Sequence, residues 1–388
     1  MRRLYDLVRL NFAIYPGIVN YRAADFLEPL YERRKAEQGP LRVALNALVW
    51  CFWWLWAPLR SRSVAKKWRK DAGWIRRATQ LSRAWFYDPG DLALFNLVEN
   101  GGLETHQRRF EQASVIRAME SGATDHPADL LDKSRFQARC EALGVAVPRL
   151  AARIKDGRIE WLDRSPQRLL AKPVRGSGGV GILAFPRADL CENTIPKALL
   201  RGEFLVQERL APHPELEPLT FDVLATARIV TLLDEDGSPE IVFAGLRFAG
   251  RKDAVVDNGH QGGFGAPIDT ARGLLGRGMV VAGPGEFDVH PASGARITGV
   301  RLPDWPATAA LAIKAHKALA NQQVIVGWDI GLSDGGPVLI EANQRPAVRL
   351  TQRLSRQGIG AMRYGELVRH HLERAGTRTA KRRLLLEG

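Results

Sequence analysis

The chain has only three cysteines among its 388 residues, and they lie far apart. Cys51, Cys140 and Cys191 lack the paired spacing that zinc sites and disulfide-rich domains show. The first residues also lack a cleavable signal pattern, because two arginines lead into a mixed amphipathic stretch. These absences argue against a disulfide framework and a zinc module, and they favour a protein of the reducing cytosol.

Two kinds of binding motif are also missing. No Gly-Lys-Ser or Gly-Lys-Thr closes a glycine loop, and no helix-turn-helix, zinc-finger or RNA-recognition pattern is present. The net charge is nevertheless +14, and residues 1–100 hold 17 Lys and Arg against 9 Asp and Glu. This basic surface could meet anionic lipid or water, and no nucleic-acid partner is expected.

Long uncharged runs are scarce, and the one of interest extends from Val43 to Leu59. It holds Trp50, Trp53 and Trp54 on one helical face, and six basic residues follow it before position 71. Three interpretations stay open: a helix docked on the C-terminal half, an interfacial helix on anionic lipid through residues 43–70, and a membrane span. We expect a cytoplasmic protein, free or peripheral on the cytoplasmic face of the membrane. No oligomeric state is indicated.

The order of predicted elements divides the chain into a helical and a mixed part. Residues 1–95 predict basic, Trp-rich helices, and the helical pattern continues to about residue 165. Within it, Asp132 opens a helix that ends near Gly144. Short β-type runs start at about residue 166, with a helix at 307–320 among them. Residues 371–388 are expected to form a frayed basic tail.

A glycine-rich loop separates two of the β-type runs. Lys172 lies at the end of the first run, the glycines lie between 176 and 181, and an apolar strand-like run follows. Small residues let backbone N–H groups approach a polyphosphate, and Lys172 could reach its α- and β-phosphates. The same letters fit a dinucleotide-binding fingerprint, but that loop must open a helix. A plain hairpin turn is the alternative interpretation.

Two carboxylates and an amide are predicted to meet on one face of a second hairpin. A turn centred on Gly335 places Asp329 opposite Glu341. Asn343 projects from the same face, because side chains alternate along a strand. Oxygen ligands of this kind suit Mg²⁺, which takes its remaining ligands from water and nucleotide phosphates. An acidic surface on an exposed hairpin is the alternative.

Taken in order, these motifs resemble a known series. Lys133, Lys172 with its loop, Val206-Gln207-Glu208, Asp329 and Glu341-Ala342-Asn343 follow the order typical of ATP-grasp enzymes. The sequence between these motifs is similar to the sugar-transfer-associated ATP-grasp family found near exopolysaccharide genes. The similar stretches are Thr226 to Thr231, Leu246 to Phe248, Val256 to Asn258, Gly262-Gly263, His290-Pro291, Gly327 to Asp329 and Gly336 to Leu339. The resemblance covers roughly residues 95–365.

The resemblance implies an α+β fold of the ATP-grasp type, with two α+β subdomains clasping ATP and an N-terminal helical accessory region. Its expected divisions are the accessory region 1–95, the N-terminal and first ATP-grasp subdomain 96–200, the second ATP-grasp subdomain with the metal site 201–370, and the basic tail 371–388. It also implies the cofactors ATP and Mg²⁺, as one or two ions that Mn²⁺ could replace.

The resemblance further assigns roles to residues. The ATP contacts it implies are Lys133, Lys172, Gly176, Ser177, Gly178 and Gly179 for phosphates, Gln207, Glu208 and Leu210 for adenine, and Glu215 for ribose. The metal ligands it implies are Asp329, Glu341 and Asn343. Arg228 and Arg247, the expected catalytic residues, flank a turn and are expected to face each other and hold the transferred phosphoryl group or an acyl phosphate. Exposed surface arginines are the alternative. Ala347 departs from relatives that carry Gly after the proline, which leaves that loop's shape open.

The chemistry implied is transfer of the γ-phosphoryl group of ATP to a carboxylate, followed by attack of a nucleophile on the acyl phosphate. We therefore expect an ADP-forming carboxylate–amine ligase acting on an amino acid or a saccharide precursor, in cell-envelope or exopolysaccharide biosynthesis. A phosphotransferase and a membrane-docked ATP-binding protein are the alternatives. His260 and His290 receive no role, and residues 257–263 form either a closing loop or a structural turn.

Overall fold

The structure is a computed structural model that describes residues 22–36, 39–120, 130, 132–174, 180–190, 196–252 and 263–387, except the side chains of Arg42 and residues 377–387. The helices are α1 (Glu28–Ala36), α2 (Pro40–Trp68), α3 (Ala72–Trp85), α4 (Pro89–Leu94), α5 (Leu97–Asn100), α6 (Gln112–Met119), α7 (Lys133–Ala142), α8 (Glu217–Thr220), α9 (Trp305–Leu319), α10 (Val348–Ser355) and α11 (Arg363–Glu387). The strands are β1 (Leu150–Lys155), β2 (Arg158–Trp161), β3 (Arg168–Pro173), β4 (Leu183–Pro186), β5 (Glu203–Glu208), β6 (Thr226–Leu233), β7 (Pro239–Phe248), β8 (Phe264–Pro267), β9 (Gly278–Val280), β10 (Glu286–Phe287), β11 (Ile325–Ser333) and β12 (Gly336–Asn343).

The strands form two sheets that follow one another along the chain. The first sheet has the order β2-β1-β5-β3-β4, and the second has the order β10-β9-β8-β7-β6-β11-β12. Neighbouring strands in both sheets are antiparallel. With helices before, between and after the sheets, the architecture is the predicted α+β class.

Three predicted boundaries differ from the structure. Strands start at Leu150, well before residue 166. The segment up to Trp161 forms a hairpin of β1 and β2, because Asp156-Gly157 makes a tight turn with positive φ at both residues (46° and 77°). Strand β5 follows the expected division at residue 200, yet it completes the first sheet between β1 and β3. The segment 371–387, expected to fray, continues helix α11.

Other local predictions are confirmed. The carboxylate of Asp132 accepts hydrogen bonds from the N–H groups of Ser134 and Arg135 (3.0 and 3.1 Å) and so caps α7. The helix expected at 307–320 is α9. Strand β3 pairs with β4, which gives the expected strand, loop and strand and excludes a dinucleotide-binding loop. Residues 175–179 lie outside the described residues.

The second sheet is buried on both faces. One face packs against α9 in a core that includes Trp328 and Ala315. The other packs against α10 and α11, and the segment from Ala24 to Tyr31 is part of the same core. The first described part of the predicted accessory region therefore contributes to the core of the second sheet.

The Trp-rich helix α2 is docked on one side only. Trp53, Ala57 and Val64 are buried, and the helix packs on α3 and α4. Pro58 lies inside the helix and cannot donate to the carbonyl oxygen of Trp54, so Arg83 of α3 donates to it instead (3.0 Å). Helix α2 thus packs on other N-terminal helices, and not on the C-terminal half as one of the three interpretations had it. Within the described residues, no helix is long and apolar enough to cross a membrane.

A chain of hydrogen bonds fastens α9 to the second sheet. Trp328 Nε1 donates to Thr231 Oγ1 (2.8 Å), which lies 2.7 Å from His316 Nδ1. His316 Nε2 lies 2.9 Å from the carbonyl oxygen of Gln323, which can only accept, so Nε2 carries the proton and Nδ1 accepts from Thr231. Burial lowers the pKa of His316 to about 4, because a charged ring would lose its hydration.

We expect acid to weaken this connection. Unfolded chains protonate His316 near its ordinary pKa of 6.5 and the folded protein only near 4, so stability present above pH 6.5 is lost on acidification, by about 3 kcal/mol. Urea unfolding measured by circular dichroism at neutral pH and near pH 4 would show the loss. A His316→Gln variant should lose less over this interval, since the other groups titrate in both proteins. Equal losses would contradict the assignment.

Candidate functional site

A cavity of about 520 Å³ lies between the first sheet, α7 and strand β12. Its described walls combine two lysines, one arginine, four amides, one carboxylate and several apolar side chains. The lining residues are Leu130, Lys133, Phe136, Gln137, Lys172, Leu205, Gln207, Ile340, Glu341, Ala342, Asn343, Gln344 and Arg345. The volume is in the range of small-molecule sites, about 300–1,000 Å³. Of the predicted site residues, the cavity brings together Lys133, Lys172, Gln207, Glu341 and Asn343.

The hairpin β11–β12 supplies the acidic side of the cavity. Asp329 is the cross-strand partner of Glu341, so the predicted pair is confirmed. The strands end on the pair Ser333 and Gly336, which centres the turn half a residue before the predicted position. A bulge at Ile340 compensates for this offset and restores the pair.

The bulge also allows two side chains of β12 to reach the same core. Leu339 and Ala342 both belong to the core under the second sheet, although they are three residues apart. Strict alternation would put them on opposite faces. The extra residue, Ile340, allows both to pack in this core, and Glu341 and Asn343 line the cavity together with Ile340 and Ala342.

Asp329 lies beside this wall and is held by two arginines. Arg228 donates to both carboxylate oxygens, with Nη2 at 3.1 Å from Oδ2, and Arg247 Nη2 also lies 3.1 Å from Oδ2. Arg247 pairs with Thr226 and Arg228 with Gly245, so the arginines are diagonal neighbours and do not face each other as predicted. The alternative of exposed surface arginines is also wrong, because the side chain of Arg228 is 8% exposed and that of Arg247 is 18% exposed.

The two carboxylates differ in their electrostatic balance. Burial alone would raise the pKa of Asp329, but Arg228 and Arg247 outweigh it and lower that pKa to about 2. For Glu341, burial and the charge of Asp329 raise the pKa above its ordinary value, although Lys133, Lys172 and Arg228 oppose them. Asp329 is therefore well compensated, whereas Glu341 would gain from a nearby cation.

Two lysines form a positive wall. Lys133 begins α7, and Lys172 lies near the end of β3. Burial lowers the pKa of Lys172 to about 8, and the charge of Lys133 acts in the same direction, whereas Glu341 and Asp329 oppose it. Because buried Lys172 and half-buried Lys133 place two ammonium groups on one wall, an anionic ligand would stabilise both.

Linked amides lie on the wall formed by β5 and α7. Gln207 Nε2 donates to Gln137 Oε1 (2.7 Å), and Gln137 Nε2 donates to the Pro148 carbonyl oxygen (3.0 Å). The buried Oε1 of Gln207 has no hydrogen-bond partner among the described residues. An unpaired buried oxygen costs about 1–3 kcal/mol, so a ligand N–H is expected there. Phe136 adds an aromatic ring, and together these groups suit a purine with an exocyclic amine.

Several predicted contacts lie elsewhere. Glu208 forms a bidentate pair with Arg149 (2.9 and 3.2 Å), Glu215 is exposed on a 3₁₀ turn, and Leu210 does not line the cavity. The structure therefore does not bring these three to the cavity. Gly176, Ser177, Gly178 and Gly179 lie outside the described residues, as do His260 and the rest of 257–262.

Two further residues noted in the sequence, His290 and Ala347, have structural explanations. His290 is fully buried, with Nε2 2.9 Å from the carbonyl oxygen of Ala249 and Nδ1 accepting from the N–H of Ala292 (3.1 Å). It therefore fastens a turn. Ala347, the departure from the glycine of many relatives, has φ −63° and ψ 98°, so no glycine is needed there.

Sequence reasoning missed several lining residues. Phe136 and Gln137 follow Lys133 by three and four positions, a spacing that places side chains on one helical face, so periodicity could have found them. Leu205 precedes Gln207 by two positions on β5, so strand alternation could have found it. Arg345 follows the end of β12, where no periodic signal exists.

The oxygen donors of β12 fit a hard cation such as Mg²⁺. Glu341 offers a carboxylate, and Asn343 offers its amide oxygen, because its Nδ2 lies 3.4 Å from Asp329 Oδ2 as a donor. In the part of the chain that the structure describes, no three or more His, Cys, Asp or Glu side chains are grouped for a metal ion. A cation here would therefore depend on ligand oxygens for much of its coordination. Asp329, bound by arginines, stays a predicted ligand.

Gly327 is expected to be essential for the geometry of β12. It pairs with Asn343, and a Cβ at this position would lie 2.7 Å from Cβ of Pro346. We expect Gly327→Ala to displace Pro346 and Asn343, to cost about 1–3 kcal/mol and to weaken ligand binding. Gly335→Ala is the matched control, because its nearest neighbour would be Ser333 Oγ at 4.0 Å. Urea unfolding should separate the two variants, and equal stabilities would contradict the packing argument.

Three solved structures illustrate the fold-level similarities. An L-amino acid ligase from Bacillus licheniformis is 14% identical with a TM-score of 0.40, and the match covers 74% of this chain and 60% of that protein. The D-alanine-D-alanine ligase from Coxiella burnetii is 12% identical with a TM-score of 0.37, and the match covers 77% and 70%. D-alanyl-alanine synthetase A from Vibrio cholerae is 13% identical with a TM-score of 0.36, and the match covers 64% and 65%. The chain thus spans less than two thirds of the Bacillus and Vibrio proteins.

Sequence comparison adds one specific result. No protein sequence with a curated function matches the chain. A family model described as sugar-transfer associated ATP-grasp matches residues 125–362, which is more than half of the chain. The matched segment contains both sheets and all the lining residues of the cavity. The chain therefore belongs to the sugar-transfer associated ATP-grasp family.

Proposed function

We propose that this protein is a Mg-ATP-dependent ligase that activates a carboxylate and joins it to an amine or another nucleophile, with release of ADP. The observation that carries the proposal is the composition of the cavity. Lys133 and Lys172 offer positive charge for phosphates, while Glu341 and Asn343 offer oxygen ligands for Mg²⁺. The unpaired oxygen of Gln207 offers an acceptor for a base. Membership of an ATP-grasp family supports ATP as the nucleotide.

Each group has a distinct task in this proposal. Lys133 and Lys172 bind and orient the phosphates, and Gln207 accepts a hydrogen bond from the exocyclic amine of adenine. Glu341 and Asn343 hold Mg²⁺, which when bound neutralises charge on the phosphate oxygens. Arg228 and Arg247 were predicted to hold the transferred group, but both donate to Asp329. We assign them a positioning role, because they fix Asp329 opposite Glu341.

The cavity favours direct transfer over a covalent enzyme intermediate. Among the described residues that line it there is no Ser, Thr, Cys or His. Positioning and charge neutralisation therefore supply the catalysis. The γ-phosphoryl group passes to an oxygen of the substrate carboxylate and ADP leaves. The nucleophile then attacks the carbonyl carbon of the acyl phosphate and expels phosphate.

An isotope experiment tests the proposal. The first substrates to screen with Mg-ATP are amino acids, hydroxy acids and saccharide-linked carboxylates, the last because the family is associated with sugar transfer. With an active substrate whose carboxylate carries ¹⁸O, label should appear in the released phosphate. This follows because the bridging oxygen of the acyl phosphate stays on phosphorus.

Two results would overturn the ligase. A stable phosphorylated product that forms without any joining reaction would show a phosphotransferase. ATP binding without ADP release across the whole substrate screen would favour a protein that only binds the nucleotide.

A further inference from the structure

One side of helix α2 is covered by large apolar side chains that project from the protein. We call them the outer stripe: Leu41, Leu45, Leu48, Phe52, Leu55 and Leu59. They are spaced alternately four and three residues apart, which places them along one side of the helix. Their exposed fractions lie between 37% and 75%. The buried residues Trp53, Ala57 and Val64 point roughly the opposite way, towards α3 and α4.

The outer stripe is long for an exposed apolar surface. Its eighteen steps from Leu41 to Leu59 correspond to about 27 Å of helix. Scattered apolar residues are common on protein surfaces, but a continuous row of this length marks an interaction site. The stripe is not required to hold the helix in place, because the opposite side already docks it.

Charge around the outer stripe selects its partner. Helix α2 contains no acidic residue, and the segment from Pro40 to Tyr87 holds ten Lys and Arg with Asp71 as its single acidic residue. Arg62, Lys66 and Lys67 are exposed on the turns that follow Leu59. The stripe therefore leads directly into a positively charged helix end.

A second copy of the helix fits this surface poorly. Like charges beside an apolar seam oppose the pairing of two copies of a helix, and the charged residues of this helix are all positive. An anionic bilayer supplies both an apolar layer for the leucines and phosphates for the lysines. Trp56, half-buried at the margin of the stripe, also suits the interface between headgroups and acyl chains.

We propose that the outer stripe of α2 docks the protein onto an anionic lipid bilayer, with the helix lying along the surface. The leucines and Phe52 enter the acyl boundary, while Arg62, Lys66 and Lys67 contact the phosphate headgroups. The helix lies on the membrane and does not cross it. This inference stands independently of the ligase activity.

Vesicle flotation with the full-length protein tests the docking. The parent should float with vesicles made of equal parts phosphatidylglycerol and phosphatidylcholine, and far less with phosphatidylcholine alone. Leu48→Gln, Phe52→Gln and Leu55→Gln combined should lower the partition coefficient about a hundredfold. Arg62→Gln, Lys66→Gln and Lys67→Gln combined should lower it about a hundredfold on the anionic vesicles.

A matched control replaces three exposed apolar residues elsewhere, Leu143, Leu162 and Val289, with Gln. It should bind vesicles like the parent, and all variants should melt near the parent temperature. Equal flotation of the parent and the stripe variant would overturn the proposal. A parent dimer that ignores vesicles and becomes a monomer in the stripe variant would also overturn it, since a second copy would then be the partner. Brominated lipids should quench tryptophan fluorescence of the unmodified parent, and no quenching would count against docking.

Discussion

Replacing Glu341 with Gln is expected to lower ATP turnover about a thousandfold without destabilising the fold. Among the lining residues that the structure describes, Glu341 is the one acidic residue, and Gln keeps its shape while removing its charge. Burial and Asp329 already raise the pKa of Glu341, so neutralising it relieves a cost in the folded state. ADP release would measure ATP turnover, and electron paramagnetic resonance of Mn²⁺ would measure metal binding.

Asp334→Asn provides a control on the same hairpin. Asp334 is exposed at the turn, outside the cavity, and its replacement removes one negative charge from the same element. Turnover and Mn²⁺ binding should stay at the parent level. A Glu341→Gln protein with parental turnover would refute the assignment of Glu341 as a metal ligand.

The largest effect on folding is expected at Asp329. Asp329→Asn would leave Arg228 and Arg247 without their carboxylate in a largely buried place, which should cost about 3–5 kcal/mol. The pKa of Asp329 is lowered from 3.8 to about 2, so its contribution is present above pH 3.8 and is lost as the pH falls towards 2. Urea unfolding at neutral pH would measure the loss.

A double-mutant cycle separates the ion pair from other effects. Arg228→Met removes one cation, and the combination with Asp329→Asn removes the pair. If the pair is stabilised as the structure indicates, the double variant should be less destabilised than the sum of the single changes. Additive losses would show that the two side chains do not depend on each other. Turnover should fall in all three variants, because Asp329 lies opposite Glu341.

The acidic wall could be predicted because its signals are local. Asp329, Glu341 and Asn343 lie within one hairpin, so alternation and a short turn suffice to bring them to one face. The bulge at Ile340 could not be read, and the pair was predicted correctly only because the bulge offsets the shifted turn. The local sequence pattern therefore predicted the pairing of Asp329 with Glu341 correctly, although it missed the bulge and the shifted turn.

The surroundings of Asp329 depend on contacts that no local pattern encodes. Arg228 and Arg247 come from β6 and β7, about a hundred residues before Asp329 in the case of Arg228. Their meeting requires the strand order β7-β6-β11, which the sequence did not specify. The missed hairpin turn at Asp156-Gly157 has a different cause. The Asp-Gly pair that is typical of such turns is present in the sequence, but the segment around it was predicted to be helical.

Truncation to the segment that the family shares should fail, because the core under the second sheet draws residues from both sides of 125–362. Leu27 and Tyr31 enter it from before this segment, and Tyr364 and Leu367 enter it from after. A fragment of 125–362 would expose the face of the sheet that these residues cover, and aggregation is the expected result. The segment that the family model matches is thus smaller than the segment that we expect to fold, because residues on both sides of it complete the core of the second sheet.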